Sequence, residues 1–483
     1  MKPQGALCEH PVDTPHKRAM NKTSRQLVYR WACVFTLTLV AVQADAEPIR
    51  FDDWIPTDRV SLRANFRTRY EYLSEQFRAE TSGSTPIFVL RTLIHGRLRP
   101  TQGLTLGVEL EDSRAYDSEA RILNTGIVDA TELLQAYAQV EQEDILGGQL
   151  RLTGGRITMN VGSRRFVARN RFRNTINSFT GVDLAWKRQG DGRTLLRAFW
   201  TLPVQRLPGS GQKQRLQDND IEFDQQSLDL QFWGLYASHA YASGLEGRLS
   251  LFGLHERDTA DRPSRDRKLY TMVLQVLQPP AVAHFDFQVE GAIQWGQQRR
   301  TSAALDTQDL SHLAHFEHLE LGYTFDAPWS PRAALQWDYA SGDRDATDRR
   351  NGRFDTLFGA RRFDFGPTGI YGPFARSNLM TPGVRLQFRP LDTLTGFVAY
   401  RAFWLAQERD FWVTTSIIDP TGDAGRFVAN QIEWRIRWSP FPGNLRLELG
   451  YARLFAGEYM RKAPTSPNQG DSSYVYTQAV LQF

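Results

Sequence analysis

Val475-Tyr476-Thr477-Gln478-Ala479-Val480-Leu481-Gln482-Phe483 alternates without a break. Side chains of a strand point to opposite faces with a period of two. Val475, Thr477, Ala479, Leu481 and Phe483 therefore share one face, and Tyr476, Gln478, Val480 and Gln482 share the other. A terminus of a soluble domain usually frays. A strand ending on an aromatic residue fits instead a closed barrel whose outward residues face lipid. The remaining sequence is then expected to read as barrel strands.

The stretch Val60 to Tyr72 does. Val60, Leu62, Ala64, Phe66, Thr68, Tyr70 and Tyr72 alternate with Ser61, Arg63, Asn65, Arg67, Arg69 and Glu71. A soluble strand averages about five or six residues; a dozen fits a tilted membrane strand. The pattern recurs at Phe88–Arg99, from Leu104, around Phe285, and near Val384, Ile432 and Leu445. Such segments number about 18. They fall at 59–73, 87–99, 103–114, 131–142, 148–159, 180–188, 193–202, 227–238, 245–257, 267–277, 284–296, 315–325, 331–341, 382–389, 394–405, 428–438, 444–455 and 473–483.

The connections alternate between short and long. Pro100–Gly103, Glu143–Gly148, Gln189–Gly192, His239–Gly244, Gln278–Ala283, Asp326–Ser330, Pro390–Thr393 and Pro440–Asn444 are short and mostly rich in Pro and Gly, as tight turns require. Residues 203–226, 258–266, 342–381, 406–427 and 456–472 are long and polar. Outer-membrane barrels have this asymmetry, with short periplasmic turns and long outer loops. The expected fold is an all-β transmembrane antiparallel barrel of about 18 strands with both termini periplasmic. Aromatics near strand ends, among them Tyr70, Tyr72, Trp200, Phe325, Trp329, Trp404 and Phe441, suit the interfacial girdles of such a barrel.

The N-terminus agrees with that compartment. The apolar run Trp31 to Val42 is too short to span a bilayer. Lys22, Arg25 and Arg30 precede it, and Ala44-Asp45-Ala46 follows as an A-x-A cleavage signal. Residues 1–46 read as a secretory signal peptide, with the basic region better placed if translation starts at Met20. Residues 47–483 read as a single barrel domain. The only cysteines, Cys8 and Cys33, precede the cut, so the barrel has no disulfides. It also carries 52 Lys+Arg against 51 Asp+Glu, a balance that implies no nucleic-acid partner. No cofactor motif is present.

A barrel this wide is too large to be filled by its own side chains, and its inward residues set selectivity. The inward faces of the first two strands carry Arg63, Arg67, Arg69, Arg91, Arg97 and Arg99, and later strands add Arg385, Arg389, Arg435 and Arg437. Glu109, Glu111, Asp286, Glu290 and Asp338 face inward elsewhere, which divides the lumen into arginine-rich and carboxylate-rich sectors. The planar guanidinium fork suits carboxylates, so an arginine-lined constriction would pass acidic solutes; bracing of the wall by Arg–carboxylate pairs is the competing role. A second basic cluster, Arg164, Arg165, Arg169, Arg171 and Arg173, follows Gly154-Gly155-Arg156. It has two open placements, folded into the lumen or bridging lipopolysaccharide phosphates at the rim. Residues 342–381, with Arg349, Arg350, Arg353, Arg361, Arg362 and Arg376, are long enough to form a constriction loop or gate.

Several segments, in this order and spacing, resemble the alginate-export family of outer-membrane channels. They are Gly155-Arg156, Gly162-Ser163-Arg164-Arg165-Phe166-Val167, Phe179-Thr180-Gly181-Val182, Tyr339-Ala340-Ser341-Gly342-Asp343, Phe354-Asp355-Thr356-Leu357-Phe358-Gly359, Tyr400-Arg401-Ala402-Phe403-Trp404-Leu405-Ala406 and Phe455-Ala456-Gly457-Glu458-Tyr459. The resemblance implies a monomeric 18-stranded barrel of the Gram-negative outer membrane that exports an anionic polysaccharide through an arginine constriction. It places Arg91 and Arg156 on arginine-bearing family motifs. Arg401 stands where the alginate exporter has His, and Gln431 and Glu433 where it has an acidic pair. The expected pathway residues are Arg63, Arg67, Arg69, Arg91, Arg97, Arg156, Arg385, Arg401, Arg435 and Arg437, with Arg164, Arg165, Arg361 and Arg362 at the loop constriction.

Rival classes fit less well. A general or substrate-specific diffusion porin is the main alternative. An outer-membrane enzyme needs convergent His, Ser or acidic groups. His312, His315 and His318 lie on a strand, where neighbours in that series face opposite sides, so neither metal binding nor catalysis is expected. A plugged active transporter needs an N-terminal plug domain, for which Glu47 to Asp58 are too few. The expected partners are outer-membrane lipid and lipopolysaccharide, an anionic solute or polysaccharide, and periplasmic export proteins.

Overall fold

A computed structural model describes residues 47–467 and 469–483. The expected signal peptide, the alternative start at Met20 and both cysteines lie outside the described residues. The strands run β1 (Val60–Leu73), β2 (Thr85–Thr101), β3 (Leu104–Tyr116), β4 (Asp129–Ile145), β5 (Gly148–Ile157), β6 (Phe179–Gln189), β7 (Gly192–Pro203), β8 (Leu230–Tyr241) and β9 (Glu246–Glu256). They continue as β10 (Lys268–Gln278), β11 (Phe285–Gln298), β12 (Leu310–Thr324), β13 (Arg332–Ala340), β14 (Leu379–Leu391), β15 (Leu394–Trp404), β16 (Phe427–Phe441), β17 (Leu445–Ala456) and β18 (Ser472–Gln482). Each pairs antiparallel with its sequence neighbours, and β1 pairs with β18 to close the barrel, Phe66 opposite Leu481 and Tyr70 opposite Thr477. Closure satisfies every edge, the condition for crossing a bilayer with strands. Among the described residues no helix is long and apolar enough to cross.

Strand boundaries shift by a few residues from the sequence reading, most clearly at two strands. The strand expected at 315–325 begins at Leu310, because polar Ser311 and His312 continue the ladder against Gln297 and Gly296. The strand expected at 227–238 lies at Leu230–Tyr241. A turn held by Ser227 and Asp229 occupies its expected start, and His239 to Tyr241 extend the pairing with β7.

The outward faces form an apolar belt, with side chains such as Leu313 and Leu335 exposed by 70% and 60%. Tight turns at one end, including Gly103 (φ 82°) and Gly147 (φ 70°), use the left-handed backbone that glycine adopts without strain. The other end carries the long loops.

Phe483 works at the seam. Its backbone exchanges two hydrogen bonds with Ala64, at 3.1 and 3.0 Å. Its ring stacks on Phe51 at 5.3 Å and meets Phe66 edge-on at 6.4 Å. Phe483→Ala is expected to destabilise the closed barrel by about 2 kcal/mol, read as a lower midpoint in the heat-induced shift of folded to unfolded bands on gels.

The lumen is not a uniformly water-filled bore. Residues 158–178 and 341–378 both fold inward. On the side of β7–β12 the wall presents Phe199, Phe232, Phe252 and Phe316, and the loops present Phe166, Phe354 and Phe358 against them. Phe232 meets Phe358 at 4.9 Å and Phe166 meets Phe316 at 5.9 Å. These aromatic contacts keep water out of that sector. At the long-loop end Phe77, Leu123, Phe374, Trp412 and Tyr459 belong to a second apolar cluster, built from several loops.

Candidate permeation site

A cavity of about 1180 Å³ remains on the other side of the lumen. It reaches from the short-turn rim, at Pro48, Gly443 and Phe483, up to Arg164, Phe172 and Phe363 on the inward loops. Eleven arginines line it against three carboxylates, Asp52, Glu109 and Glu448. Each carboxylate is engaged. Asp52 accepts from the Leu62 N–H at 2.7 Å, Glu109 meets Arg169 at 2.6 Å and Glu448 meets Arg437 at 2.8 Å. Arg63, Arg164, Arg171, Arg435 and Arg446 form no ion pair among the described residues. Uncompensated charge of one sign in a low-dielectric cleft focuses the field and concentrates counter-ions.

The local sequence explains which arginines stay free. Inward residues of β1 and β2 near the long-loop end meet loop 158–178, whose carbonyls have no sheet partner. Arg67 donates to the carbonyls of Arg171 and Arg173 at 2.9 and 3.0 Å, Arg91 to that of Arg173 at 3.1 Å, and Arg69 to that of Phe172 at 2.7 Å. Arg69 also pairs with Glu71 at 2.8 Å. These wall arginines bracket the loop. Arg63, nearer the turns, has no loop to hold and points into the cavity.

Of the fourteen arginines expected from sequence, Arg63, Arg67, Arg91, Arg164, Arg362, Arg435 and Arg437 line the cavity. The others lie elsewhere. Arg165 bonds Glu290 at 2.6 Å, Asp364 at 3.0 Å, Gln288 at 2.7 Å and His318 at 2.9 Å. Arg156 meets Glu132 at 2.5 Å, Arg401 meets Asp338 at 2.8 Å, and Arg385 donates to the Phe363 carbonyl at 2.8 Å. Arg361 donates to the Phe374 carbonyl at 3.2 Å within its loop, and Arg97 stands beyond the cavity lining. The carboxylate-rich sector is corrected accordingly: Asp286, Glu290 and Asp338 are buried partners of Arg332, Arg165 and Arg401. Arg446 belongs to the site although it was not among the expected pathway residues; its alternation with Leu445 and Leu447 was the available signal.

Of the two open placements of the second basic cluster, the structure takes the one inside the lumen, where residues 158–178 lie. Their tie to loop 341–378 is the Asp364 carboxylate, which accepts from Arg165 and Arg376. Burial pushes the Asp364 carboxyl up, but the two guanidiniums outweigh it and hold it far below the usual carboxylate range. Arg362, in a single helical turn, anchors the same loop to Glu433 at 2.6 Å. Burial and neighbouring arginines lower Arg173 to about 9 and Arg361 to about 10, so both stay protonated at pH 7.

The histidines are arranged as strand geometry predicts. His315 is outward beside Glu317, His312 bonds Gln298 at 2.8 Å, and His318 bonds Asp338 at 2.7 Å.

A closed 18-stranded barrel with an apolar outer belt and a charged internal cavity defines an outer-membrane channel of a Gram-negative bacterium. Residues 58–470 match the family model for alginate export, and the chain belongs to that family. No curated protein sequence matches it significantly. Among solved structures it is similar to Acinetobacter baumannii OccAB1 (12% identity, 92% of this chain and 99% of that one, TM-score 0.55). Pseudomonas aeruginosa OccK9 (OpdG) is similar too, at 14% identity over 88% and 98% of the two chains, TM-score 0.55. So is the outer membrane protein opdK from Pseudomonas aeruginosa, at 11% identity over 88% and 98%, TM-score 0.54. At such identities the likeness concerns the fold alone. Fold and family are those of outer-membrane channels, in contact with membrane lipid and transported solute.

Proposed function

We propose that this channel carries anionic solutes, acidic polysaccharide included, and that the arginine cavity selects them. The observation that supports it is the excess of eleven arginines over three engaged carboxylates in one cavity. Guanidiniums without an internal partner are available to carboxylates of a passing chain, each weakly enough held to be exchanged for the next. The cavity opens at the short-turn, periplasmic end, which suits loading from that side. The pathway proper is Arg63, Arg164, Arg171, Arg435 and Arg446, while Arg67, Arg69, Arg91, Arg165 and Arg362 position the loops above it. We read the barrel as a monomer whose rim meets lipopolysaccharide. The exposed Trp54, 70% accessible on the periplasmic segment, offers a contact for an export partner.

A second reading, a diffusion porin for small molecules, is favoured by one observation: the two inward loops leave a cavity rather than a wide bore. Oligouronates added to the periplasmic side of a bilayer-embedded channel test the first. They are expected to interrupt the ionic current, while neutral dextran of equal length does not. Equal effects of the two polymers would contradict the proposal.

A further inference from the structure

Three carboxylates converge away from the permeation site. Asp129, at the start of β4, Glu132, three residues further along it, and Asp224, in loop 204–229, are all buried, with one oxygen of each within 4.8 Å of the others. Residues three apart on a strand ordinarily face opposite ways. Here the β3–β4 register shifts between Glu111 and Ser113, and Thr131 adopts φ 56°, so both acids turn to the inner face.

The group is poorly satisfied by protein. Asp129 is only 2% exposed and accepts no hydrogen bond among the described residues; its nearest cation, Arg206 Nε, is 3.7 Å away. Asp224 accepts the Leu207 N–H on one oxygen only. Glu132 accepts from Arg156 and from the Asp224 N–H. A fourth acid, Glu111, stands directly across the ladder from Glu132, 1% exposed, and its Oε2 has no hydrogen-bond partner among the described residues. Burying carboxylates without partners is strongly unfavourable.

We propose that Asp129, Glu132 and Asp224 bind a divalent cation of calcium size, with the free oxygen of Glu111 beside it, and that this ion clamps loop 204–229 to the β3–β4 wall. All donors are hard oxygens, the set Ca²⁺ and Mg²⁺ prefer. Three carboxylates whose oxygens all lie within 4.8 Å of one another suit Ca²⁺, which takes about 6–8 oxygens in flexible geometry, better than Mg²⁺, which keeps several waters and is held by about one or two carboxylates. The clamp is independent of the permeation reading, since none of the three acids lines the arginine cavity.

The test uses the whole barrel refolded in detergent free of lipopolysaccharide, with CaCl₂ titrated after chelation. The unfolding midpoint is expected to rise with Ca²⁺, half-saturating at about 0.1–1 mM, the range of extracellular sites. Asp129→Asn and Asp224→Asn are expected to abolish the rise, and in EDTA to unfold no earlier than the unsubstituted chain, because each removes a repelling charge. Asp326→Asn, in the short turn between β12 and β13, is the control and is expected to keep it. An unchanged midpoint in the unsubstituted chain, or a full rise in both variants, would overturn the proposal.

Discussion

Asp364→Ala is expected to raise single-channel conductance several-fold while the barrel itself stays folded. Among the described residues Asp364 is the one carboxylate that accepts from both inward loops, Arg165 on 158–178 and Arg376 on 341–378. Its loss leaves Arg376, fully buried and over Phe363 and Phe365, without a carboxylate. Removing one partner of a buried ion pair typically costs about 3–5 kcal/mol, mostly as the stranded charge. The wall ladder does not depend on the clasp, so the cost falls on loop 341–378, which is expected to leave the lumen part of the time. Unchanged conductance would mean that the aromatic contacts at Phe354 and Phe358, with the Arg362–Glu433 pair, hold the loop without the clasp. The clasp has a definite pH dependence. A carboxyl depressed in the folded state contributes fully above its unfolded value, about 3.9, and loses that contribution as pH falls below it. Acid below about pH 4 therefore begins to loosen the loops, whereas the neutral range leaves them fixed.

The second large effect concerns charge. Replacing Arg63, Arg171, Arg435 and Arg446 together by Glu leaves seven arginines facing seven carboxylates in the cavity. Anion preference is expected to disappear. Among the described residues these four bind no carboxylate and no loop carbonyl by their side chains, so the change acts on the field rather than on the fold. Arg97→Ala, which lies outside the lining, is the control and is expected to leave selectivity intact.

The strand count, the alternation of turn and loop lengths and the seam were readable because a period of two is a strictly local signal. The inner face of β1 illustrates both the reach and the limit of that signal. Alternation puts Arg63, Arg67 and Arg69 inside together, but only the path of loop 158–178 decides that Arg67 and Arg69 hold carbonyls while Arg63 stays free. Phe199, Phe232 and Phe316 look like ordinary strand aromatics; their inward aim becomes meaningful once Phe166 and Phe354 arrive from distant loops to meet them. Asp129 and Glu132 escaped for a different reason. A register shift turned both to one face, where strict alternation separates them.

The central claim is that unpaired arginines in the lumen select anions. The reversal potential of the unsubstituted channel in a KCl gradient, set beside that of the four-arginine variant, tests it most directly. The sign expected for the unsubstituted channel is that of chloride preference, with the variant near zero. A potassium-selective potential in the unsubstituted channel, or the same chloride preference in both, would contradict it.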